Sequence, residues 1–274
     1  MQHWTQDDIP WDRFEPSKVD PDILKIVKAA SLVEKNGDDY AVYLCNVFSD
    51  DPDFQGVARA WAAEEVQHGD VLGRWAELAD SGFRFAESFK TFTDGYKLPL
   101  DATKSVRGSR AGELVARCIV EVGTSSYYTA LGNAAEEPVL KAICKRIAAD
   151  ELRHYKLFYE HLRSYLEKEE FNQWQRLKVA LARIIESEDD ELAYAYYAAN
   201  GDGGPYDRER YIRDYMQRAS AYYRPNVIDR GVAMIFKAVG FKPNGWLQRV
   251  VSKIAWQLVA FRQRRNMGVA AAEI

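Results

Sequence analysis

The apolar and polar residues of this chain sustain no strand-like alternation, and no short-period repeat is visible. Gly and Pro are scarce, whereas Ala, Leu, Glu, Lys and Arg are plentiful, which favours helix. Asp20 followed by Pro21 is typical of a helix start, because Asp accepts hydrogen bonds at the N-cap and Pro suits the first turn. An all-α fold is therefore expected. The predicted helices span residues 21–48, 52–79, 109–132, 136–168, 171–199, 206–223, 226–239 and 245–265.

The predicted helices divide the chain into three parts. Residues 1–20 are irregular and contain Pro and several aromatic residues, so we expect an arm that packs on the body. Residues 21–168 hold four long helices and are expected to form a four-helix core. Within that core, residues 80–107 are predicted to be a long connection with short helical pieces. Residues 169–274 are expected to form a helical extension packed on the core.

Two copies of Glu-x-x-His are the candidate chemistry of this sequence, at Glu65–His68 and at Glu151–His154. Residues three apart share one face of a helix, so each pair can bind one ion together. A further Glu lies on the preceding helix in both cases. Because the chain has only four His, two such pairs are rare by chance. The sequence predicts six ligands for two metal ions: Glu34, Glu65, His68, Glu121, Glu151 and His154.

Helical rise brings the upstream Glu residues level with their pairs. From Glu34 to the end of its predicted helix the chain rises by roughly 21 Å, at about 1.5 Å per residue. From Pro52 to Glu65 the next helix returns by roughly 20 Å. In the second hairpin the chain rises by roughly 17 Å from Glu121 to the end of its helix, and it returns by roughly 20 Å from Pro138 to Glu151. Both hairpins therefore place their ligands at mid-helix, where the core of the bundle lies.

A metal pair would resolve an electrostatic problem in this core. Four buried carboxylates repel one another and raise one another's pKa, and two divalent cations neutralise them. Carboxylate with imidazole suits Fe(II) or Mn(II) better than structural zinc, which favours Cys and His. We therefore expect two Fe ions, with a Mn/Fe pair as the alternative. The helical pattern predicts Tyr128 either as a core residue or as the lining of a pocket near this site.

Two further acids, Glu64 and Asp150, directly precede a predicted ligand Glu. Metal-bound imidazoles usually donate their other N–H to a carboxylate or a carbonyl. Both acids are therefore candidates for a second shell around the metal ligands. The alternative, a solvated charge on a helix surface, stays open for each of them.

Composition and charge exclude several function classes. With 274 residues and 47% hydrophobic content, the chain can bury a substantial core. Its net charge of −4 and the lack of a basic motif argue against a nucleic-acid partner. The three cysteines form no Cys-x-x-Cys, which predicts buried thiols in a reducing compartment. No signal peptide and no run of roughly 18 apolar residues is visible, so we expect a cytoplasmic protein without a transmembrane segment.

Two sequence blocks resemble the soluble acyl-(acyl carrier protein) desaturases. Residues 61–72, Trp-Ala-Ala-Glu-Glu-Val-Gln-His-Gly-Asp-Val-Leu, are similar to that family's Trp-x-Ala-Glu-Glu-x-x-His-Gly-Asp-Leu-Leu. Residues 147–154, Ile-Ala-Ala-Asp-Glu-Leu-Arg-His, are similar to its Ile-Ala-Ala-Asp-Glu-x-Arg-His. Residues 121–124 resemble its Glu-x-x-Thr, and Glu34 with Tyr40 resembles its first ligand helix. The similarity covers about residues 20–165.

The resemblance implies a ferritin-like four-helix bundle that binds two irons through the same six residues and works as a homodimer. It implies an enzyme that uses O2 and two electrons from a ferredoxin-type donor to remove two hydrogens from an acyl chain held on a carrier protein. Thr124 matches a threonine that assists proton delivery, which implies a catalytic role. A hydroxyl that bonds back to its own helix is the open alternative for Thr124. Gly37 stands where the family often has Pro, and either residue is expected to loosen the helix at this point.

Other functions stay open on the sequence alone. One is a di-iron oxygenase that hydroxylates another small molecule. Another is a ferritin-like iron-handling protein, although the chain lacks the Cys-x-x-Cys domain of rubrerythrins and is longer than a single storage bundle. The last alternative is a structural bundle that binds no metal.

The helix over residues 245–265 has an apolar face and a basic end. We expect it to pack on its own domain or on a dimer mate, with a membrane surface or an acidic carrier as the alternative.

Overall fold

The computed structural model describes residues 3–186 and 190–270, and these residues form an all-α helical bundle without a strand. The predicted fold class is therefore confirmed. Three short 3-10 turns precede the first α-helix, at Gln6–Asp8, Trp11–Arg13 and Pro16–Lys18. The α-helices are α1 Pro21–Lys35, α2 Gly37–Val47, α3 Pro52–Ala79, α4 Phe85–Gly95, α5 Arg110–Ala134, α6 Pro138–Lys168, α7 Gln173–Glu186, α8 Asp190–Asn200, α9 Arg208–Ser220, α10 Pro225–Val239 and α11 Trp246–Ala270.

The long helices begin where their sequence provides caps. Asp20, Asp51, Ser109 and Glu137 precede α1, α3, α5 and α6, and each side chain accepts a hydrogen bond from a backbone N–H of the first turn. These N–H groups have no partner inside the helix, so each cap typically stabilises its helix by about 1 kcal/mol. Pro occupies the first turn of α1, α3 and α6, where its missing N–H costs nothing.

The first predicted helix, residues 21–48, is wrong as a continuous helix. It breaks at Asn36, whose backbone has φ −80° and ψ 10°, and α2 starts anew at Gly37. A Cβ on Gly37 would lie 2.8 Å from the Cβ of Glu65 and 3.0 Å from the carbonyl oxygen of Ala62. Glycine therefore permits a close approach of α2 to α3, immediately after Glu34.

Two antiparallel hairpins, α1–α3 and α5–α6, form the centre of the bundle. Their buried apolar side chains fall into two clusters. On α3, residues 54–62 belong to one cluster and residues 71–76 to the other. Glu65 and His68 lie between the two clusters along the helix, as do Glu151 and His154 on α6. The fold thus places these polar side chains in a layer with apolar packing on both sides.

The remaining helices surround the hairpins. Helix α8 packs on α1, whereas α7 and α10 pack on α5, and α11 packs on α10 and α9. The single helix predicted over residues 171–199 is described as α7 and α8, and residues 187–189 between them lie outside the described residues. The boundaries of the core at residues 21–168 and of the extension at 169–274 stay a prediction. None of the described helices is long and apolar enough to cross a membrane.

The first residues of the chain lie against the bundle. Trp11 packs its ring under the guanidinium of Arg74, with 4.1 Å between the guanidinium carbon and the ring centroid. Ile9 is buried in the apolar core. Trp4 reaches further and contacts the polar layer of α3 and α6. The aromatic side chains of this segment therefore anchor it to the body, as cation–π and apolar contacts commonly do.

Candidate metal centre

The six predicted ligand residues converge in the interior as two groups. One group is Glu34, Glu65, His68 and Glu151, and the other is Glu65, Glu121, Glu151 and His154. Within each group, the candidate ligand atoms lie within 4.8 Å of one another. All six side chains are buried. Glu65 and Glu151 belong to both groups, so each can bridge two ions.

Each histidine turns its Nδ1 atom towards the carboxylates. His68 Nδ1 lies 3.3 Å from Glu151 Oε1 and 3.7 Å from Glu34 Oε2. His154 Nδ1 lies 2.9 Å from Glu65 Oε1 and 3.7 Å from an oxygen of Glu121. The two halves of the site therefore repeat the same arrangement, with one imidazole and one terminal carboxylate on either side of the shared pair.

Five atoms of the candidate ligand side chains in this layer have no hydrogen-bond partner. The buried unpaired atoms are His68 Nδ1, His154 Nδ1, Glu65 Oε1, Glu121 Oε1 and Glu151 Oε1. Leaving a buried polar atom unpaired typically costs about 1–3 kcal/mol, and buried polar groups in folded proteins are almost always paired. Five such atoms in one small volume indicate a missing partner that accepts electron pairs from all of them. A pair of cations fits this donor set of carboxylate and imidazole.

The pKa shifts of the buried carboxyl groups also favour the binding of cations at this centre. Burial raises the pKa of Glu34 well above its usual value, and the neighbouring Glu65 adds to the shift. Burial likewise raises the pKa of Glu121 well above its usual value. Burial also opposes ionisation of Glu65, but the adjacent rings of His154 and His68 hold its pKa well below normal. The cluster is thus short of positive charge, because two of its four carboxyl groups resist ionisation.

Glu64 and Asp150 contact the outer nitrogen of the two imidazoles. His68 Nε2 lies 3.0 Å from Asp150 Oδ2, and His154 Nε2 lies 3.0 Å from Glu64 Oε2. Arg153 pairs with both acids through its two terminal nitrogens. A carboxylate at Nε2 holds a proton on that nitrogen, so that a bound metal ion would take the Nδ1 lone pair on the side that faces the cluster. The two acids therefore orient the rings as ligands require.

Trp4 is a contact that the sequence pattern does not reveal. Its indole Nε1 donates to Asp150 Oδ2 at 2.7 Å, and its ring stacks on His68 with 6.0 Å between centroids. Gln67 donates to the Trp4 carbonyl at 3.1 Å. A small cavity of ≈ 240 Å³ lies beside these residues and is lined by Trp4, Glu64 and Asp150 among others. No local spacing connects residue 4 with residue 150, so only the fold shows this contact.

Two hydroxyl groups donate to the carboxylates. Thr124 Oγ1 lies 2.8 Å from Glu151 Oε2, and it is also 3.2 Å from the Val120 carbonyl of its own helix. Tyr128, predicted only as a core or pocket residue, donates to Glu34 Oε1 at 2.5 Å. Burial raises the pKa of Tyr128 well above its usual value, so this phenol stays a neutral donor. The single proton of the Thr124 hydroxyl is within reach of both acceptors, and its catalytic role stays a prediction.

Comparison with known proteins assigns the chain to a family. A family model described as fatty acid desaturase matches residues 45–187, slightly more than half of the chain. The matched region contains five of the six predicted ligands, and Glu34 precedes it. No curated protein sequence matches the chain. On the extent of the family match, this chain belongs to the fatty acid desaturase family.

Proposed function

We propose that this protein is an O2-dependent di-iron desaturase of the acyl-(acyl carrier protein) type, which introduces a double bond into a fatty acyl chain. The observation that carries the proposal is the pair of four-residue groups that share Glu65 and Glu151. Family membership supports an oxidoreductase acting on fatty acids. The sequence blocks around His68 and His154 support the soluble acyl carrier protein subtype and a ferritin-like bundle.

Two metal ions would be held by Glu34, Glu65 and His68 on one side and by Glu121, Glu151 and His154 on the other, with Glu65 and Glu151 available to both. When bound, an iron pair would supply the redox chemistry that lets O2 oxidise an unactivated C–H bond. In the overall reaction the acyl chain gives up two electrons and two protons as two hydrogen atoms, a donor supplies two more electrons, and solvent supplies two more protons. O2 takes up all four electrons and all four protons to become two waters.

The chain's own residues position and insulate that chemistry. Asp150 and Glu64 fix the imidazole rings, and the apolar clusters on both sides of the polar layer exclude water. Tyr128 holds one oxygen of Glu34 through its hydroxyl. Thr124 holds one oxygen of Glu151 and carries a proton next to that carboxylate. A ferredoxin-type electron donor, an acyl carrier protein as the carrier of the substrate and a homodimeric assembly complete the proposal.

Product analysis tests the proposed reaction. The protein, loaded with Fe(II), is supplied with ferredoxin, ferredoxin reductase, NADPH, O2 and a saturated acyl chain on acyl carrier protein. We expect mass spectrometry to show an acyl product lighter by two hydrogens. A product heavier by one oxygen would identify a hydroxylase instead, and iron uptake without any acyl product would identify an iron-handling protein.

Replacing Thr124 separates its contact with Glu151 from its contact with its own helix. Thr124→Val removes the hydroxyl but keeps the shape, and a hydrogen bond to a charged group is typically worth about 1.5–3 kcal/mol. We therefore expect turnover to fall by roughly 10- to 100-fold while iron content stays at the wild-type level. Thr124→Ser keeps the hydroxyl and should retain most of the activity.

The alternative, in which the Thr124 hydroxyl bonds only to its own helix, predicts a different result for Thr124→Val. If the hydroxyl serves only its own helix, Thr124→Val keeps wild-type turnover and changes only the melting temperature. Steady-state rates and iron content measured on the same preparations distinguish the two outcomes.

A further inference from the structure

Helix α11 presents an apolar face that is exposed in the described part of the chain. Ile254 is 52% exposed and Leu258 is 61% exposed, although both are large hydrophobic residues. They belong to a stripe with helical spacing, because each member follows another by three, four or seven residues. The stripe consists of Leu247, Val250, Val251, Ile254, Leu258 and Phe261.

Hydrogen bonds on the opposite face fix the orientation of α11. Gln248 is buried, and its Nε2 donates to Asp229 Oδ1 at 2.7 Å in α10. Further along, Gln263 Nε2 donates to the carbonyl of Ser220 at 2.7 Å, at the end of α9. At 100° per residue, Gln248 lies about 120° and Gln263 about 180° around the helix from Ile254. The apolar stripe therefore points away from the body of the protein.

The charge around this stripe has one sign. Residues 230–274 carry eight Lys and Arg against one Glu, a net charge of +7, whereas residues 1–229 carry 29 against 40, a net charge of −11. From residue 230 to residue 272 the chain has no acidic side chain. Lys253, Arg262 and Arg264 are exposed on α11, about 80–100° around the helix from Ile254, with Arg262 on one side of the stripe and the other two on the opposite side. An apolar strip between cationic side chains is complementary to a surface that is apolar inside and anionic outside.

We infer that α11 docks on an anionic phospholipid membrane, lying in the plane of the surface with its apolar stripe among the acyl chains. An interfacial helix of this kind needs a charged polar face and a hydrophobic face, not enough apolar length to span the bilayer. A second copy of the chain fits less well, because an isologous contact through this face would bring the cationic residues of both copies together. The inference rests on α11 alone and is independent of the proposed desaturase activity.

Aromatic residues extend the same surface. Trp246 begins α11 and is highly exposed. Trp174 of α7 is also exposed, and its ring lies 6.4 Å from that of Phe241, in the turn that leads into α11. Trp is enriched at membrane interfaces because its ring is apolar and its N–H is polar. Trp246 lies about 80° around the helix from Ile254 and is therefore placed where a docked helix would meet the lipid headgroups, while Trp174 lies next to the turn that leads into α11.

Vesicle co-sedimentation of the full chain tests the docking surface. The wild-type protein is mixed with vesicles of phosphatidylcholine alone or with one third phosphatidylglycerol, at low and at high salt. We expect binding to the anionic vesicles at low salt, with weaker binding at high salt and on neutral vesicles. The double variant Ile254→Glu/Leu258→Glu should lose this binding by at least tenfold. Lys253→Gln and Arg264→Gln should each weaken it by about fivefold.

Leu78→Glu is the matched control. Leu78 lies at the end of α3, is 48% exposed and is therefore as accessible as the residues changed in α11. We expect this variant to bind anionic vesicles like the wild type, and circular dichroism to show that all variants remain folded. The inference is overturned if the wild type does not distinguish anionic from neutral vesicles, or if Leu78→Glu and the α11 double variant behave alike. Light scattering that shows a dimer for the wild type and a monomer for the double variant, without vesicle binding, would assign the face to a second copy.

Discussion

Glu151→Ala is expected to abolish both metal binding and turnover. Glu151 is buried completely and belongs to both groups of candidate ligands, with Oε1 3.3 Å from His68 Nδ1 and Oε2 3.7 Å from His154 Nδ1. Removing its carboxylate takes a ligand from each ion at once. The loss should therefore exceed the roughly 10- to 100-fold that removal of an outer contact of a metal site typically costs.

Iron content per chain and desaturation rate, measured on the same protein, check this expectation. Glu160→Ala is the matched control, because Glu160 lies on the same helix but its side chain is 61% exposed. This control should keep both iron and activity. If the Ala variant of Glu151 does not fold, Glu151→Gln keeps the volume and should still lose iron, since an amide is a neutral and weaker ligand. A Glu151 variant that holds two irons per chain and turns over normally would end the proposal of a shared bridging ligand.

The polar layer could be predicted from the sequence because its geometry is local. Glu65 and His68 are neighbours on one helix face, and the similar numbers of residues on the two sides of the turn at residues 48–52 bring Glu34 level with them despite the break at Asn36. The structure brings the six residues together as the spacing predicts, and whether they bind metal stays a prediction. Glu64 and Asp150 follow the same logic, since they precede ligands and contact the outer nitrogen of the imidazole across the helix pair.

Contacts between distant segments could not be predicted in this way. The Trp4 indole meets Asp150 across 146 positions, and the Tyr128 hydroxyl meets Glu34 across 94. Neither pair has a spacing that a single helix or hairpin imposes. The break at Asn36 has a local signal, because Gly37 loosens the helix there, but the close approach of α2 to Glu65 depends on tertiary packing. The exposure of the apolar face of α11 depends likewise on how α9 and α10 orient that helix.

Gly69→Ala should destabilise the protein and impair the centre, although alanine is the better helix former by about 1 kcal/mol. A Cβ on Gly69 would lie 2.5 Å from the backbone N and 2.6 Å from the Cα of Lys35. These are backbone atoms, so α1 and α3 must move apart to make room. Overpacking of this kind typically costs about 1–3 kcal/mol of unfolding free energy. Lys35 directly follows Glu34, so the same movement shifts Glu34 away from Glu65 and His68.

Gly56→Ala provides the contrast on the same helix, because nothing lies within 4 Å of a Cβ at that position. It should raise the free energy of unfolding by up to about 1 kcal/mol and leave turnover unchanged. Gly69→Ala should lower that free energy and reduce turnover by up to roughly 100-fold, since a displacement of about 1 Å at a catalytic site can have that effect. Urea unfolding of the metal-free proteins separates the packing effect from metal binding. Equal behaviour of the two variants would show that the close contact of α1 with α3 does not set the position of Glu34.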